Sequence, residues 1–193
     1  MLPNNTLSTT VQYSNFIGAR NSTTSNILDY ETGGINVFDS SQGIQVQSWR
    51  GRLIGDDIIL DVPNNINITP YLAYSGTNIS EFSFTFNQNM NPIVVFVQSG
   101  SSKMYWYDSS LGGYTVTDYG NTVTNPRVSL DDKRLEQTSN SDVIFAYIRE
   151  GSLYYRQQRD RFTIERLLRN NCSYLKKIGM GTNNRFLFQG TFT

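Results

Sequence analysis

The sequence contains no histidine among its 193 residues. Histidine is the commonest general base and a frequent metal ligand, so its absence excludes Ser-His-Asp and Cys-His catalysis and the usual zinc sites. Carboxylates are present, but the neighbours in Asp56-Asp57 and in Asp131-Asp132 would point to opposite faces of a strand. Acid–base catalysis needs two carboxyl groups that converge on one site. We therefore predict no catalytic residues and no enzymatic activity.

Other features that mark particular classes of protein are also missing. Cys172 is the only cysteine, which excludes an internal disulfide and a cysteine-based metal cluster and predicts a passive thiol. Neither a glycine-rich phosphate loop nor an acidic calcium loop occurs, so we predict no cofactor and no metal. No apolar run approaches the length of a membrane span, and the N-terminus lacks a basic and apolar leader. We expect neither a membrane span nor a secretory signal.

Charged residues make up only 17% of the chain, and they are unevenly placed. Residues 1–126 contain four Lys or Arg and nine Asp or Glu, a balance of −5, whereas residues 127–193 contain twelve and seven, a balance of +5. Ends of opposite charge suit head-to-tail contacts between copies or contact with nucleic acid, and equally a solvated face without a partner. Aromatic residues reach 13% and are mostly Tyr and Phe, which favour strands.

The pattern along the chain divides it into three regions. Residues 1–34 are dominated by Asn, Ser and Thr and show little periodicity, so we predict an extended N-terminal arm that is ordered against a neighbour. Residues 35–79 are predicted to form a small strand-rich module, in which Gly55-Asp56 marks a hairpin tip. Residues 80–193 are predicted to form a repeat domain that ends, from Tyr174 onward, in a hairpin.

The repeat domain contains two copies of one pattern, Phe82–Tyr119 and Arg127–Leu168. Each copy holds four short β-type segments in about 40–50 residues, which is typical of a β-propeller blade. The apolar run Ile93–Val97 matches Val143–Ile148 and predicts a central strand that is covered on both faces. The predicted fold class is therefore all-β: antiparallel meanders with two β-propeller-like blade repeats and an extended N-terminal arm.

An alignment of the third and fourth segments of the two copies shows which residue types occur in both copies and which occur in only one. The third segments match as Met104-Tyr105-Trp106 with Leu153-Tyr154-Tyr155, and the fourth as Tyr114-Thr115-Val116 with Phe162-Thr163-Ile164. The fourth match predicts a strand that spans Phe162–Leu168, although the sequence of this segment resembles a short helix. The shared aromatic residues are predicted to pack one blade on the next.

A basic cluster in the second copy has no counterpart in the first. Arg156, Arg159 and Arg161 lie there among aromatic residues, a pattern that also occurs at single-stranded nucleic-acid and sugar sites. We predict that these arginines contact protein rather than nucleic acid, because a guanidinium group binds carboxylates through two parallel hydrogen bonds. Tyr105 and Tyr107, on the other face of their strand from Trp106, complete the set of predicted interface residues.

Three stretches of the chain carry a resemblance to a known group of proteins. They are LSTTVQYSNFIGARNSTTSNILDYETGGI, SLDDKR and DVIFAYIREGSLYYRQQRDRFTIERLL. Together they resemble small β-rich structural proteins of tailed bacteriophages, short-tailed ones especially. The resemblance implies a non-enzymatic, many-copy component of the virion tail (a hub, fibre or fibre-attachment subunit), assembled in the bacterial host cytoplasm, that contacts other tail proteins and has no cofactor. Sialidase-type propellers are suggested too, but their SxDxGxTW motif is absent, so glycosidase activity is not expected.

Two blades on their own leave unpaired edges and uncovered faces, which soluble proteins avoid. We therefore expect a homo-oligomer, such as a ring in which neighbouring subunits complete each other's sheets through head-to-tail contacts. The alternative is a carbohydrate-binding module at the tip of a tail fibre. Such a module would stack a host-surface glycan on an exposed Trp49, Tyr105 or Tyr107.

Overall fold

The computed structural model describes residues 19–20, 27–39, 43–61, 70–87, 89, 91–131, 142–180 and 185–192. Within these ranges the chain forms fifteen strands in four antiparallel sheets and one 3₁₀ turn at Gln158–Asp160. The predicted all-β class and the antiparallel sheets are thus confirmed. The same ranges contain no helix that is long and apolar enough to cross a membrane.

The first sheet lies in the N-terminal part of the chain. Its strands, in order, are β1 Ala19–Arg20, β2 Ile27–Asp39, β3 Gly43–Ile54, β4 Asp57–Asp61 and β5 Tyr71–Ser75. The β3–β4 hairpin turns at Gly55-Asp56 as predicted, and Gly55 has the positive φ that such a tip requires. The predicted arm boundary at residue 34 falls inside β2, and residues 1–18 and 21–26 of that arm lie outside the described residues.

The second and third sheets cover the two copies of the sequence pattern. The second consists of β6 Ile79–Phe86, β7 Pro92–Gln98, β8 Ser101–Asp108 and β9 Gly113–Gly120. The third consists of β10 Val123–Leu130, β11 Val143–Arg149, β12 Ser152–Gln157 and β13 Arg166–Arg169. In both sheets each strand pairs with the next one along the chain, so both are four-stranded meanders.

Equivalent turns fix how the two four-stranded sheets correspond. Ser99-Gly100 and Glu150-Gly151 each join the second strand to the third, and all four residues have positive φ, as a two-residue hairpin turn of type I′ requires. When residues are counted from these turns, Tyr105 corresponds to Arg156. The predicted match paired Tyr105 with Tyr154 and is therefore shifted by two residues. Side chains of a strand alternate with a period of two, and this shift therefore leaves them on the predicted faces.

The predicted strand at Phe162–Leu168 is present only in its last part. β13 begins only at Arg166, and the chain before it turns through left-handed conformations at Arg161 and Phe162, with φ of 52° and 55°. The turn carries the Phe162 ring into the core, where it packs edge-on against Trp106 at 5.2 Å and is 1% exposed. Burying a phenylalanine side chain contributes about 1.5–3 kcal/mol, which favours this path over a longer strand.

The last sheet is a hairpin of β14 Cys172–Met180 and β15 Phe186–Phe192. β14 and β15 thus form the antiparallel pair that the sequence predicts, and residues 181–184 between them lie outside the described residues. The sheet has two strands where the second and third sheets have four.

The sheets stack in chain order with a hydrophobic core in each gap. On β7, Val94 and Phe96 belong to the core shared with the first sheet, while Ile93 and Val95 belong to the core shared with the third. β11 divides its side chains in the same way between the second sheet and the last sheet. The predicted central strands covered on both faces are confirmed.

Close packing between the first and second sheets depends on Gly51 in β3. A Cβ atom on Gly51 would lie 2.6 Å from a ring carbon of Phe82 and 2.8 Å from one of Phe84. These distances are shorter than carbon–carbon contact, so a side chain at this position would push the two sheets apart.

One side of the stack, which we call the inner edge, is formed by every fourth strand. β2 lies against β6, β6 against β10, and β10 against β14. Arg127 of β10 joins three sheets there: its Nη1 lies 2.6 Å from Oε1 of Glu81 in β6, and its Nε donates to the carbonyl oxygen of Lys176 in β14 at 2.8 Å. The opposite side, the outer edge, is formed by β5, β9 and β13, the final strands of the first three sheets.

Candidate functional site

A cleft of about 610 Å³ opens between the second and third sheets near the outer edge. Its wall from the second sheet is formed by residues of β8, β9 and the turn between them: Trp106, Asp108, Leu111, Thr115, Thr117, Asp118 and Tyr119. Its wall from the third sheet is formed by Arg149, Arg156, Arg161, Phe162 and Thr163. We call this the inter-sheet cleft. It combines aromatic rings, hydroxyl groups and charges of both signs.

Arg161 joins the two walls of the inter-sheet cleft. Its Nη2 donates to Oδ2 of Asp108 at 2.5 Å, and the left-handed turn at Arg161 places the guanidinium there. The side chain of Asp108 is 4% exposed, whereas that of Arg161 is 57% exposed. Desolvation tends to raise the pKa of Asp108, but hydrogen bonds from Ser110 and Arg161 outweigh it and hold the pKa below its usual range.

Arg156 lies deeper, in a network that closes the third sheet. Its guanidinium donates to the Tyr147 hydroxyl at 2.8 Å, to the carbonyl oxygens of Phe162 and Thr163 at 3.0 and 2.8 Å, and to Glu165 at 3.1 Å. The side chain is 14% exposed. Its Nη donors therefore hold the loop that leads into β13 while Nε is bound to Tyr147 of β11, and few donors remain for a partner.

Glu165 is the acceptor at the centre of that network. It receives hydrogen bonds from the Tyr147 hydroxyl and from Arg149, the latter at 2.9 Å, besides the one from Arg156. Burial of Tyr147, together with this bond to a carboxylate, raises its pKa to about 12, so the phenol stays protonated at neutral pH. The Arg156 guanidinium also lies 5.2 Å from the centre of the Tyr119 ring, within the range of a cation–π contact.

Arg159 is not among the residues that line the inter-sheet cleft. Its Nε lies 2.5 Å from Oδ2 of Asp142, whose side chain is 3% exposed, and its backbone N–H donates to the other carboxylate oxygen at 3.0 Å. The carboxylate of Asp142 therefore fixes the start of the 3₁₀ turn. The side chain of Arg159 is 59% exposed.

Tyr105 and Tyr107 meet Tyr114 on β9 at the outer edge. The rings of Tyr105 and Tyr114 stack with centroids 4.7 Å apart and planes 13° apart, and Tyr107 meets Tyr114 edge-on at 5.5 Å. Tyr71 of β5 is a neighbour of Tyr105 and Tyr114, and burial, followed by the effect of this neighbour, raises the pKa of both. We call these four residues the tyrosine platform. Tyr71 is 39% and Tyr114 36% exposed.

Trp49 does not belong to this exposed platform. Its ring packs 5.1 Å from that of Phe86 against the core between the first and second sheets. Trp49 is half-buried there, because the inward-facing positions of β3 cover that core.

The structure thus distributes the predicted interface residues over three places. Arg156 and Arg161 line the inter-sheet cleft, Arg159 lies beside the 3₁₀ turn, and Tyr105 and Tyr107 join the tyrosine platform. The sequence alone did not indicate Glu165, Tyr119, Tyr71 or Tyr114 as members of these sites. Within the described ranges no three His, Cys, Asp or Glu side chains converge as metal ligands would.

Comparison with known proteins finds no matching family model, no matching curated protein and no matching solved structure.

Proposed function

We propose that this chain is a non-enzymatic structural subunit of a multi-copy assembly and acts through protein–protein contacts. The observation that carries the proposal is the unpaired edge of the last sheet. Among the described residues this sheet has two strands where the second and third sheets have four, and β15 pairs with a strand on one side only. An uncovered strand edge offers a row of backbone donors and acceptors to another chain.

The charged groups support a structural role. The buried carboxylates Asp61, Asp108 and Asp142 each form an ion pair with an arginine, at 2.8, 2.5 and 2.5 Å. Glu81 pairs with Arg127 at 2.6 Å. The pairs Arg161–Asp108 and Arg127–Glu81 join neighbouring sheets, whereas those of Asp61 and Asp142 lie within one sheet each. These buried charges are used in ion pairs that hold the fold together.

The finer form of the proposal is that the successive sheets are blades of an open, propeller-like stack and that the assembly is a bacteriophage tail. The blade interpretation is supported by the two four-stranded meanders, by their equivalent turns and by the inner edge formed from every fourth strand. The tail interpretation is supported by the resemblance of the sequence to structural proteins of short-tailed phages. The chain would serve there as a hub, fibre or fibre-attachment subunit.

Sedimentation equilibrium of the full-length chain tests the proposal. Association at micromolar concentration into a species of defined copy number is the expected result. A well-folded monomer over the whole concentration range would contradict self-assembly. Quantitative mass spectrometry of virions from the phage that encodes the chain tests the location: several copies per tail are expected, and absence from virions would contradict it.

A carbohydrate-binding module is a second candidate, because the tyrosine platform is partly exposed. Stacked aromatic rings with hydroxyl groups at their edges suit the apolar face and the hydroxyl groups of a sugar. A glycan array tests this function. Binding that is lost in Tyr114→Ala and retained in Tyr174→Ala, an equally exposed tyrosine of the last sheet, would support it, and an array without any binding would contradict it.

A further inference from the structure

Two strands at opposite ends of the chain share a feature that sheet edges in soluble proteins usually avoid. β5 (YLAYS) and β15 (FLFQGTF) contain no charged residue and no proline, and each pairs with a strand on one side only among the described residues. Charged side chains and proline are the usual means by which an edge strand is protected from pairing with another chain. Both strands therefore lack this protection.

The other two final strands of sheets are protected. β13 is only four residues long and carries Arg166 and Arg169, and β9 carries Asp118, whose side chain is 53% exposed. Among the final strands of the described sheets, the unprotected ones are thus those of the first sheet and the last sheet.

Charges of opposite sign lie beside the two unprotected strands. Asp57 pairs with Ser75 at the end of β5, and the carbonyl oxygen of Asp56 accepts a hydrogen bond from Gly76. Beside β15, Lys177 pairs with Gln189, and Lys176 is the residue before it. From residue 166 onward the chain holds five Lys or Arg and no Asp or Glu. Two like ends would repel each other, whereas an acidic first sheet and a basic last sheet attract.

We infer that β15 of one copy pairs with β5 of a second copy, so that the two-stranded last sheet is extended by the first sheet of its neighbour. The inference rests on the proposed function, in which copies of the chain assemble. Backbone hydrogen bonds between the strands provide the affinity of such a contact, and the flanking charges select its orientation. The contact joins two different surfaces, so repetition gives a ring if the rotation closes and a filament if it does not.

Cysteine cross-linking of full-length chains tests the pairing. Leu72→Cys lies in β5 and Gln189→Cys lies in the middle of β15; both positions are exposed, while the native Cys172 is buried. The two variants are mixed in equal amounts and treated with a bismaleimide that spans about 10 Å, twice the spacing of paired strands. A covalent dimer is expected in the mixture and not with either variant alone.

A matched control replaces Leu111, which is 68% exposed on the turn between β8 and β9. A mixture of Leu111→Cys with Gln189→Cys is expected to give no dimer. Equal cross-linking in this control would overturn the inference. Cross-linking of Gln189→Cys alone would also overturn it, because β15 would then pair with β15 of a second copy.

The sedimentation result separates the two proposals. If the wild-type chain associates and the mixture of Leu72→Cys and Gln189→Cys gives no dimer, the pairing of β15 with β5 is wrong and the proposed function is unaffected. If the wild-type chain is a folded monomer at every concentration, both are wrong.

Discussion

β11, in the middle of the stack, has buried side chains on both faces, whereas the described residues cover only one face of β15, in the last sheet. Ile144, Ala146 and Ile148 of β11 pack towards the last sheet, and Phe145 packs on the opposite face towards the second sheet. On β15 the phenylalanines pack inward, and the alternate residues Leu187, Gln189 and Thr191 are exposed. The middle of the stack therefore supplies stability, and we expect the last sheet to supply contact.

The largest effect is expected from truncation in the middle of the stack. Phe145→Ala removes a fully buried ring and is expected to lower the free energy of unfolding by about 3–5 kcal/mol. Phe84→Ala, which removes an equally buried ring from the second sheet, should have a similar effect. Urea denaturation measures both. A loss below about 1 kcal/mol in either variant would mean that the ring is not part of a packed core between two sheets.

The next largest effect is expected at the inner edge. Arg127→Met leaves Glu81 buried without its guanidinium partner and is expected to cost about 3 kcal/mol. The double variant Arg127→Met/Glu81→Leu removes both charges and should recover most of that loss, since a buried pair can be replaced by apolar groups. Urea denaturation again provides the measurement. A double variant as unstable as the single one would contradict an ion pair between these two side chains.

A smaller, pH-dependent effect is expected where Asp108 fastens the second sheet to the third. The pKa of Asp108 is lowered in the folded state, so its contribution to stability is present above the unfolded pKa of about 3.9 and is lost as the pH falls through the folded value. Asp108→Asn is therefore expected to be less stable than the wild type at pH 7, and the difference should shrink below pH 4. Thermal unfolding between pH 2 and pH 7 measures it; a difference independent of pH would contradict the pair with Arg161.

The smallest effect on stability is expected on the exposed face of the last sheet. Leu187 is 52% exposed, so Leu187→Ser should change the free energy of unfolding by less than about 0.5 kcal/mol. Thermal unfolding at low protein concentration measures this change. A loss as large as that of Phe145→Ala would mean that the face is already covered within one copy, and the comparison between the middle and the end of the stack would fail.

Local patterns predicted the strands and turns well, because each depends on neighbouring residues. The turns at Ser99-Gly100 and Glu150-Gly151 follow from short residue signals, and the covered central strands follow from the unbroken apolar runs. The two-residue error in matching the third strands arose because residue class repeats with the period of the strand. A match that is shifted by two residues looks equally good.

The candidate sites were harder to predict, because their members are far apart in the sequence. Arg161 meets Asp108 across 53 positions, and no local signal connects them. The turn that carries Phe162 into the core was missed for the same reason: its partner Trp106 belongs to another sheet. The three arginines were singled out as unshared interface residues, and the structure shows each of them paired with a carboxylate of its own chain.

Amide hydrogen exchange of the wild-type chain at low and high protein concentration tests the central claim most directly. The account predicts that protection rises with concentration for the amides of β15 and β5, while the amides of β7 and β11 are equally protected at both concentrations. Protection of β15 and β5 that does not change with concentration, in a chain that associates, would contradict the claim that a second copy completes the last sheet.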